Sequence, residues 1–209
     1  MNILNHFPHI CRLINKFKSS KPKIALTFDD GHKYASQINK KLNKYGVKAT
    51  FFLCGCYIEK NLDIYREIYK AGHEIGNHSY NHPHMTDLSE SDILTELSRT
   101  QELIKKIAST ANRSKLFRFP YGTHDEALTH FIEEQGYTPV AWTIDSDDWT
   151  GISASEICNN SLSSNYLTDR TIILMHTSGE HTAEALDLII PALKKQRYKI
   201  VHVSDLLSG

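Results

Sequence analysis

The chain reads Lys23-Ile24-Ala25-Leu26-Thr27-Phe28-Asp29-Asp30-Gly31 just after Pro22, and from there apolar runs alternate with helical periods, without an internal repeat. Residues 23–28 are a short apolar and β-branched run, which predicts a buried strand. Two carboxylates stand where the strand stops. Adjacent acids repel each other and are costly to bury unless a cation or an arginine compensates them. Working outward, further strands are expected at 48–53, 74–76, 116–119, 139–143, 171–175 and 199–201. Helical periods fill the intervals at 34–45, 62–71, 89–109, 125–135, 154–162 and 183–196. Gly46, Gly72 and Gly136 follow three of these, where a left-handed cap belongs, and Ser89 with Asp92 has the shape of a capping box. Strands alternating with helices imply an α/β fold of parallel strands, either a barrel or an open doubly wound sheet.

The polar residues choose one end of those strands. Asp29 and Asp30 close the first, His78 follows the third, Arg118 lies at the end of the fourth, Asp145 to Asp148 lie past the fifth, and His176 ends the sixth. In parallel α/β architectures the C-terminal strand ends form a single face, where active sites are assembled. Two imidazoles in His78-Ser79-Tyr80-Asn81-His82, with a carboxylate, make the donor set of a catalytic divalent metal, whether the segment is helical or a tight loop. His73 and His84 flank the pair; His73, at a strand start, suits a hydrogen-bonded structural role. Arg118 is placed to lower the pKa of a carboxylate and to orient it, or else to form an ordinary surface ion pair. Trp149, beside three acids, is a lid on the core or a wall for an apolar part of a ligand, and on its own the lid is the commoner role. His176 can transfer a proton if a carboxylate holds it.

Composition narrows the classes of function. The 209 residues, 40% hydrophobic and 23% charged, match an ordinary globular domain and exclude global disorder. Lysine plus arginine and aspartate plus glutamate are both 24, so there is no net charge to gather nucleic acid. No apolar run approaches the roughly 20 residues of a membrane span. Residues 1–22 form a basic amphipathic segment, with Arg12, Lys16, Lys18 and Lys21 among Ile3, Leu4, Phe7, Ile10, Leu13, Ile14 and Phe17, interrupted by Pro8. Such a segment either docks on the domain or lies against an anionic membrane. It lacks the h-region and cleavage site of a secretory signal, and Cys11, Cys54, Cys56 and Cys158 are too few and too irregularly spaced for a disulfide scaffold. Docking is the favoured reading, because Pro8 interrupts the apolar stripe; the expectation is a cytoplasmic protein, with peripheral membrane contact through residues 1–20 at the inner face as the alternative, and its oligomeric state is not encoded in any feature of the sequence.

In order, Thr27 to Gly31, His78 to His82, Arg118-Phe119-Pro120-Tyr121, Asp145 to Trp149 and Leu174-Met175-His176 resemble the five motifs of the polysaccharide deacetylase family. The likeness extends to Ala49-Thr50-Phe51-Phe52 and to residues 71–77, so it covers residues 23–207. It implies a distorted (β/α) barrel of about seven strands over a catalytic domain at 23–209. It also implies metal-dependent hydrolysis of an acetamido group on an N-acetylated sugar. By resemblance Asp30, His78 and His82 hold the metal (zinc first, cobalt or nickel as alternatives) and Asp29 is the base, tuned by Arg118. The Tyr121 N–H helps hold the oxyanion, His176 paired with Asp148 is the acid, and Trp149 and Leu174 wall the acetyl pocket. O-acetyl ester or cyclic amide hydrolysis, or a silent carbohydrate-binding member, are the alternatives on this scaffold. Two departures stand out: His32 where proline is frequent, and Thr177 where an acid is common. The first puts a third imidazole near Asp30, and both bear on substrate fit.

Overall fold

Strand β1 (Lys23–Asp30) is the spine of the computed structural model, which describes residues 21–108, 115–163 and 165–208. Six of its eight residues are buried, and it pairs in parallel with β2 (Thr50–Leu53) on one side and β7 (Thr171–His176) on the other. From β2 the sheet continues through β3 (Glu74–Asn77), β4 (Leu116–Phe117) and β5 (Thr138–Pro139), and from β7 to β6 (Ile144–Asp145). Every pairing is parallel. An eighth strand, β8 (Lys199–Ile200), joins the first residues of β1.

The two ends of this path, β5 and β6, are neighbours in sequence. Residues 140–143 alone join them, and so few residues reach no further than about 18 Å. The sheet must therefore curl until its edges nearly meet, which makes a distorted barrel and settles the choice between barrel and open sheet. The single strand expected at 139–143 is thus two short strands with a crossing between them. Val140 and Ala141 give their carbonyls to the Arg118 side chain instead of to a ladder partner (3.1 and 3.2 Å).

Alternation along β1 sorts the interior. Ile24, Leu26 and Phe28 pack into the layer between sheet and helices with Phe51, Ile38, Leu42, Ile189 and Leu193. Ala25 faces the barrel lumen with Phe52, Leu116 and Val140, above Val201, Val203 and Leu206. Helices α1 (Ala35–Tyr45), α3 (Leu62–Lys70), α4 (Glu90–Ile107), α5 (Glu126–Glu134), α6 (Ala154–Leu162) and α7 (Thr182–Lys195) match the sequence expectations to within two residues. The predicted end of α4, at residue 109, lies outside the described residues. Gly46, Gly72 and Gly136 all take positive φ. Short helices α2 (Gly55–Lys60) and α8 (Val203–Leu207) carry too few turns to show a period, and the sequence does not announce them. The amphipathic segment at 1–20 also lies outside the described residues. Among those described, no helix is long and apolar enough to cross a membrane.

Candidate active site

The parallel strands deliver Asp29 and Asp30, His78, Arg118, Asp145 and His176 to one rim, and a cleft of about 350 Å³ opens there. Asp29, the last inward-facing residue of β1, is 3% exposed. One carboxylate oxygen accepts from Arg118 Nη1 at 2.8 Å, and the other lies 3.6 Å from His78 Nε2. Burial raises the Asp29 pKa above the ordinary carboxylate value, and the Arg118 guanidinium opposes that rise. Arg118 is fully buried, so it is no surface ion pair. It donates to Thr27 Oγ1 (2.8 Å) and lies over the Phe52 ring at 4.2 Å. One guanidinium thus satisfies the open seam of the barrel and fixes the orientation of Asp29.

Asp30 turns the other way because its backbone is left-handed (φ 79). Ser79 and His82 are also left-handed (φ 63 and 60), so His78-x-x-x-His82 is a tight loop, not a helix turn. The loop is held from behind by Glu96 of α4, which is buried and accepts from the N–H groups of Tyr80 and Asn81, both at 2.7 Å. The result is a cluster in which one donor atom each from Asp30, His78 and His82 lie within 4.8 Å of one another. His78 Nδ1 is 2.8 Å from the Arg118 carbonyl, which leaves Nε2 free to face the cluster. Burial lowers the His78 pKa to about 3, so the ring is neutral, as a metal ligand must be. The donor chemistry fits a divalent cation.

Across the cleft His176 ends β7. Its Nδ1 is 2.8 Å from Asp148 Oδ1, and its N–H donates to the other carboxylate oxygen at 2.7 Å. Thr182 also donates to that oxygen, so the buried Asp148 is saturated. Burial disfavours the imidazolium, but the hydrogen bond and charge of Asp148, with Asp29 and Asp30, outweigh it and lift the His176 pKa to about 9. The cleft therefore pairs a carboxylate poised to accept a proton with an imidazole that already carries one. Tyr121 (φ 58) and Trp149 stand at its rim, and Leu174 lines its wall. Trp149 is 62% exposed, which overturns the core-lid reading. Asp147 ahead of it is left-handed and turns the indole outward.

Every site residue named from the sequence reaches this cleft or touches one that does. His73 lies away from it and is structural: Nδ1 accepts from Ala49 N–H and Nε2 meets Asn39, both at 3.1 Å. His84 stays outside the donor cluster and stacks on Tyr121 at 4.1 Å. His32 is also outside it, with its ring edge-on to Tyr57. Sequence reasoning missed the contribution of Thr177. Its fully buried hydroxyl accepts from the N–H groups of Gly31 (2.8 Å) and His32 (2.6 Å) and donates to the Asp29 carbonyl (2.8 Å). Glu96 was missed as well, since a lone acid in a helical period carries no signal.

Comparison with known proteins agrees with this geometry. Residues 16–140 match the family model described as polysaccharide deacetylase. The chain is 38% identical over 188 residues to a peptidoglycan-N-acetylglucosamine deacetylase of Bacillus cereus, covering 87% of this chain and 67% of that protein. It is 31% identical to the peptidoglycan-N-acetylglucosamine deacetylase PgdA of Listeria monocytogenes over 92% of its own length, but spans 40% of that relative. The solved structure of the Bc1960 peptidoglycan N-acetylglucosamine deacetylase superposes with a TM-score of 0.83 at 35% identity, over 90% of this chain and 88% of that one. A CE4 family pseudoenzyme from Bacillus anthracis superposes at 0.81 with 32% identity, over 90% and 66% of the two chains. A likeness of this extent, in sequence and in fold, places the chain in the polysaccharide deacetylase family, a family of hydrolases acting on carbon–nitrogen bonds other than peptide bonds.

Proposed function

We propose that the chain removes acetate from N-acetylglucosamine units of a peptidoglycan-type glycan, as polymer or carrier-linked, by metal-dependent hydrolysis. The observation that carries the reading is the opposition of Asp29, fixed by Arg118, to His176, fixed by Asp148, across the Asp30–His78–His82 donors. Because the fold also supports a pseudoenzyme, activity must be argued from these residues and not from the family. A divalent ion on Asp30, His78 and His82, zinc in the first instance, would polarise the acetyl carbonyl and lower the pKa of a bound water. Asp29 takes the proton of the attacking water, and Arg118 holds its carboxylate in line. The Tyr121 N–H donates to the oxygen that gains negative charge, worth about 3 kcal/mol per donor in comparable sites. His176 gives its proton to the departing amine, and Asp148 steadies the ring before and after. Trp149 and Leu174 border the space for the acetyl methyl, which keeps water from that side of the carbon. The basic segment at 1–22 would bring the chain to an anionic membrane face, at the cytoplasmic side in our reading.

The test is acetate release from N-acetylglucosamine oligomers and from an O-acetylated xylan, by chelated protein before and after zinc, cobalt or nickel is restored. Release from the amide substrate that returns with metal is expected, and Asp29→Asn should lose about a thousandfold in kcat. Release from the xylan alone would move the reading to an ester hydrolase. Full activity in the asparagine variant would remove Asp29 from the mechanism.

A further inference from the structure

The histidine loop rests on a carboxylate that its hydrogen bonds do not require. All five backbone N–H groups from His78 to His82 are satisfied. His78 donates to the Leu53 carbonyl (3.1 Å), Ser79 to Asn77 Oδ1 (2.9 Å) and His82 to Ser79 Oγ (3.0 Å), while Tyr80 and Asn81 both donate to Glu96 Oε2. The other Glu96 oxygen accepts from the Asn81 side-chain amide at 2.8 Å. Among these acceptors only Glu96 is an acid; it is 8% exposed, and it accepts three hydrogen bonds and donates none, as an anion does. A glutamine oxygen would serve the two N–H groups equally, and the Asn81 amide can turn to meet a glutamine NH2. Burying an anion instead is costly unless a cation answers it. Arg99, one turn further along α4, does not, because its guanidinium lies over the Tyr80 ring at 3.5 Å and forms no ion pair with Glu96.

The other buried acids around the cleft have their cations. Arg118 balances Asp29 at 2.8 Å, and protonated His176 balances Asp148 at 2.8 Å. Asp30 and Glu96 are left over. Asp30 meets the imidazoles of His78 and His82 (3.9 and 3.7 Å) and the Ser178 hydroxyl (3.4 Å), and Glu96 meets only neutral donors. Two unanswered carboxylates, one among the donors and one behind their loop, match the charge of one divalent cation. We propose that Glu96 is a positioning residue whose charge, and not only its shape, holds the divalent ion, by polarising the peptide N–H groups between the two histidines and offsetting part of the ion's charge. The proposal rests on the reading of Asp30, His78 and His82 as ligands. Without the ion Glu96 is an uncompensated buried anion, so its charge works against the fold; with the ion it works for it. A buttress that acted through shape alone would support the chain equally in both states.

Metal affinity and thermal stability, read on the full chain without substrate, test this. Glu96→Gln keeps the hydrogen bonds and removes the charge. Zinc affinity, measured by competition with a chromophoric chelator, should fall about tenfold in the variant. The chelated variant should melt at the temperature of chelated wild type or above it, while the rise in Tm on adding zinc should be smaller than in wild type. Wild-type zinc affinity in Glu96→Gln would overturn the proposal. So would a chelated variant that melts well below chelated wild type, since the carboxylate would then serve the fold with or without the ion. A wild-type chain that takes up no zinc would remove the ligand reading itself, and the proposal with it.

Discussion

Asp148 and Thr177 are buried and do not line the cleft, yet each sets what a group that does can do. The charge of Asp148 is what holds the His176 pKa near 9 against burial. If protonated His176 is the acid, activity falls as pH rises through that value. Asp148→Asn keeps the oxygen that faces Nδ1 but removes the charge, so the imidazolium loses stabilisation and its pKa drops. The alkaline limb of kcat/KM against pH should then move to lower pH by about one to two units. An unmoved limb would assign it to another group. Thr177 saturates one hydroxyl with two N–H donors and one carbonyl, and these belong to residues 29, 31 and 32, on either side of Asp30. Thr177→Val leaves the His32 N–H unpaired at about 1–3 kcal/mol and removes one partner each from the Gly31 N–H and the Asp29 carbonyl, which keep backbone partners, and the turn that presents Asp30 loosens. Metal affinity, measured by competition with a chromophoric chelator, should fall about tenfold in the valine variant and recover in Thr177→Ser. Wild-type affinity in Thr177→Val would show that the clamp serves folding alone.

Elements in this protein are delimited by local chemistry that owes little to the site. Ser153 caps α6 by accepting from the Glu156 N–H, and the Glu156 side chain returns to the Ser153 N–H at 2.9 Å. This reciprocal box lies in the open as Ser-x-x-Glu, and the expected helix at 154–162 matches the observed one residue for residue. Ser153→Ala should cost about 1 kcal/mol in chemical denaturation with no change in kcat, since the cap is remote from the cleft. The Ser89 cap of α4 works through the Asp92 N–H, as the sequence suggested. Elements without such punctuation were harder to see. β4, β5 and β6 are two residues each, shorter than any period can register. The crossing between β5 and β6 is held by the Arg118 side chain, which follows β4, a tertiary partner that no local pattern announces.

At the scale of the molecule, the barrel closes around a buried guanidinium and meets its surroundings with unevenly distributed charge. Nine acids and no lysine or arginine lie between residues 119 and 169, while Arg12, Lys16 and Lys18 sit in the segment at 1–20 with no acid among them. The membrane reading makes a simple prediction. Deleting residues 1–20 should abolish co-sedimentation with anionic vesicles and leave acetate release from a soluble oligomer in place. Unchanged vesicle binding would end that reading.

Local patterns in the chain were enough for the alternation of strands and helices, the parallel sheet and the identity of the groups at its rim. These rest on periodicity, caps and the placement of Asp29, Asp30, His78, Arg118 and His176 at strand ends, none of which needs a distant partner to be read. Motifs named the catalytic candidates, but left Trp149 divided between lid and wall and Arg118 between surface and core. The exposure of Trp149 and the burial of Arg118 were decided in three dimensions. Exposure and pairing depend on what residues distant in the chain place around a side chain, as Val140 and Ala141 do for Arg118. The same holds for Thr177 and Glu96, which look ordinary in sequence. Their function lies in the backbone N–H groups they satisfy, and those groups come within reach only once β7 lies beside β1 and α4 lies behind the histidine loop.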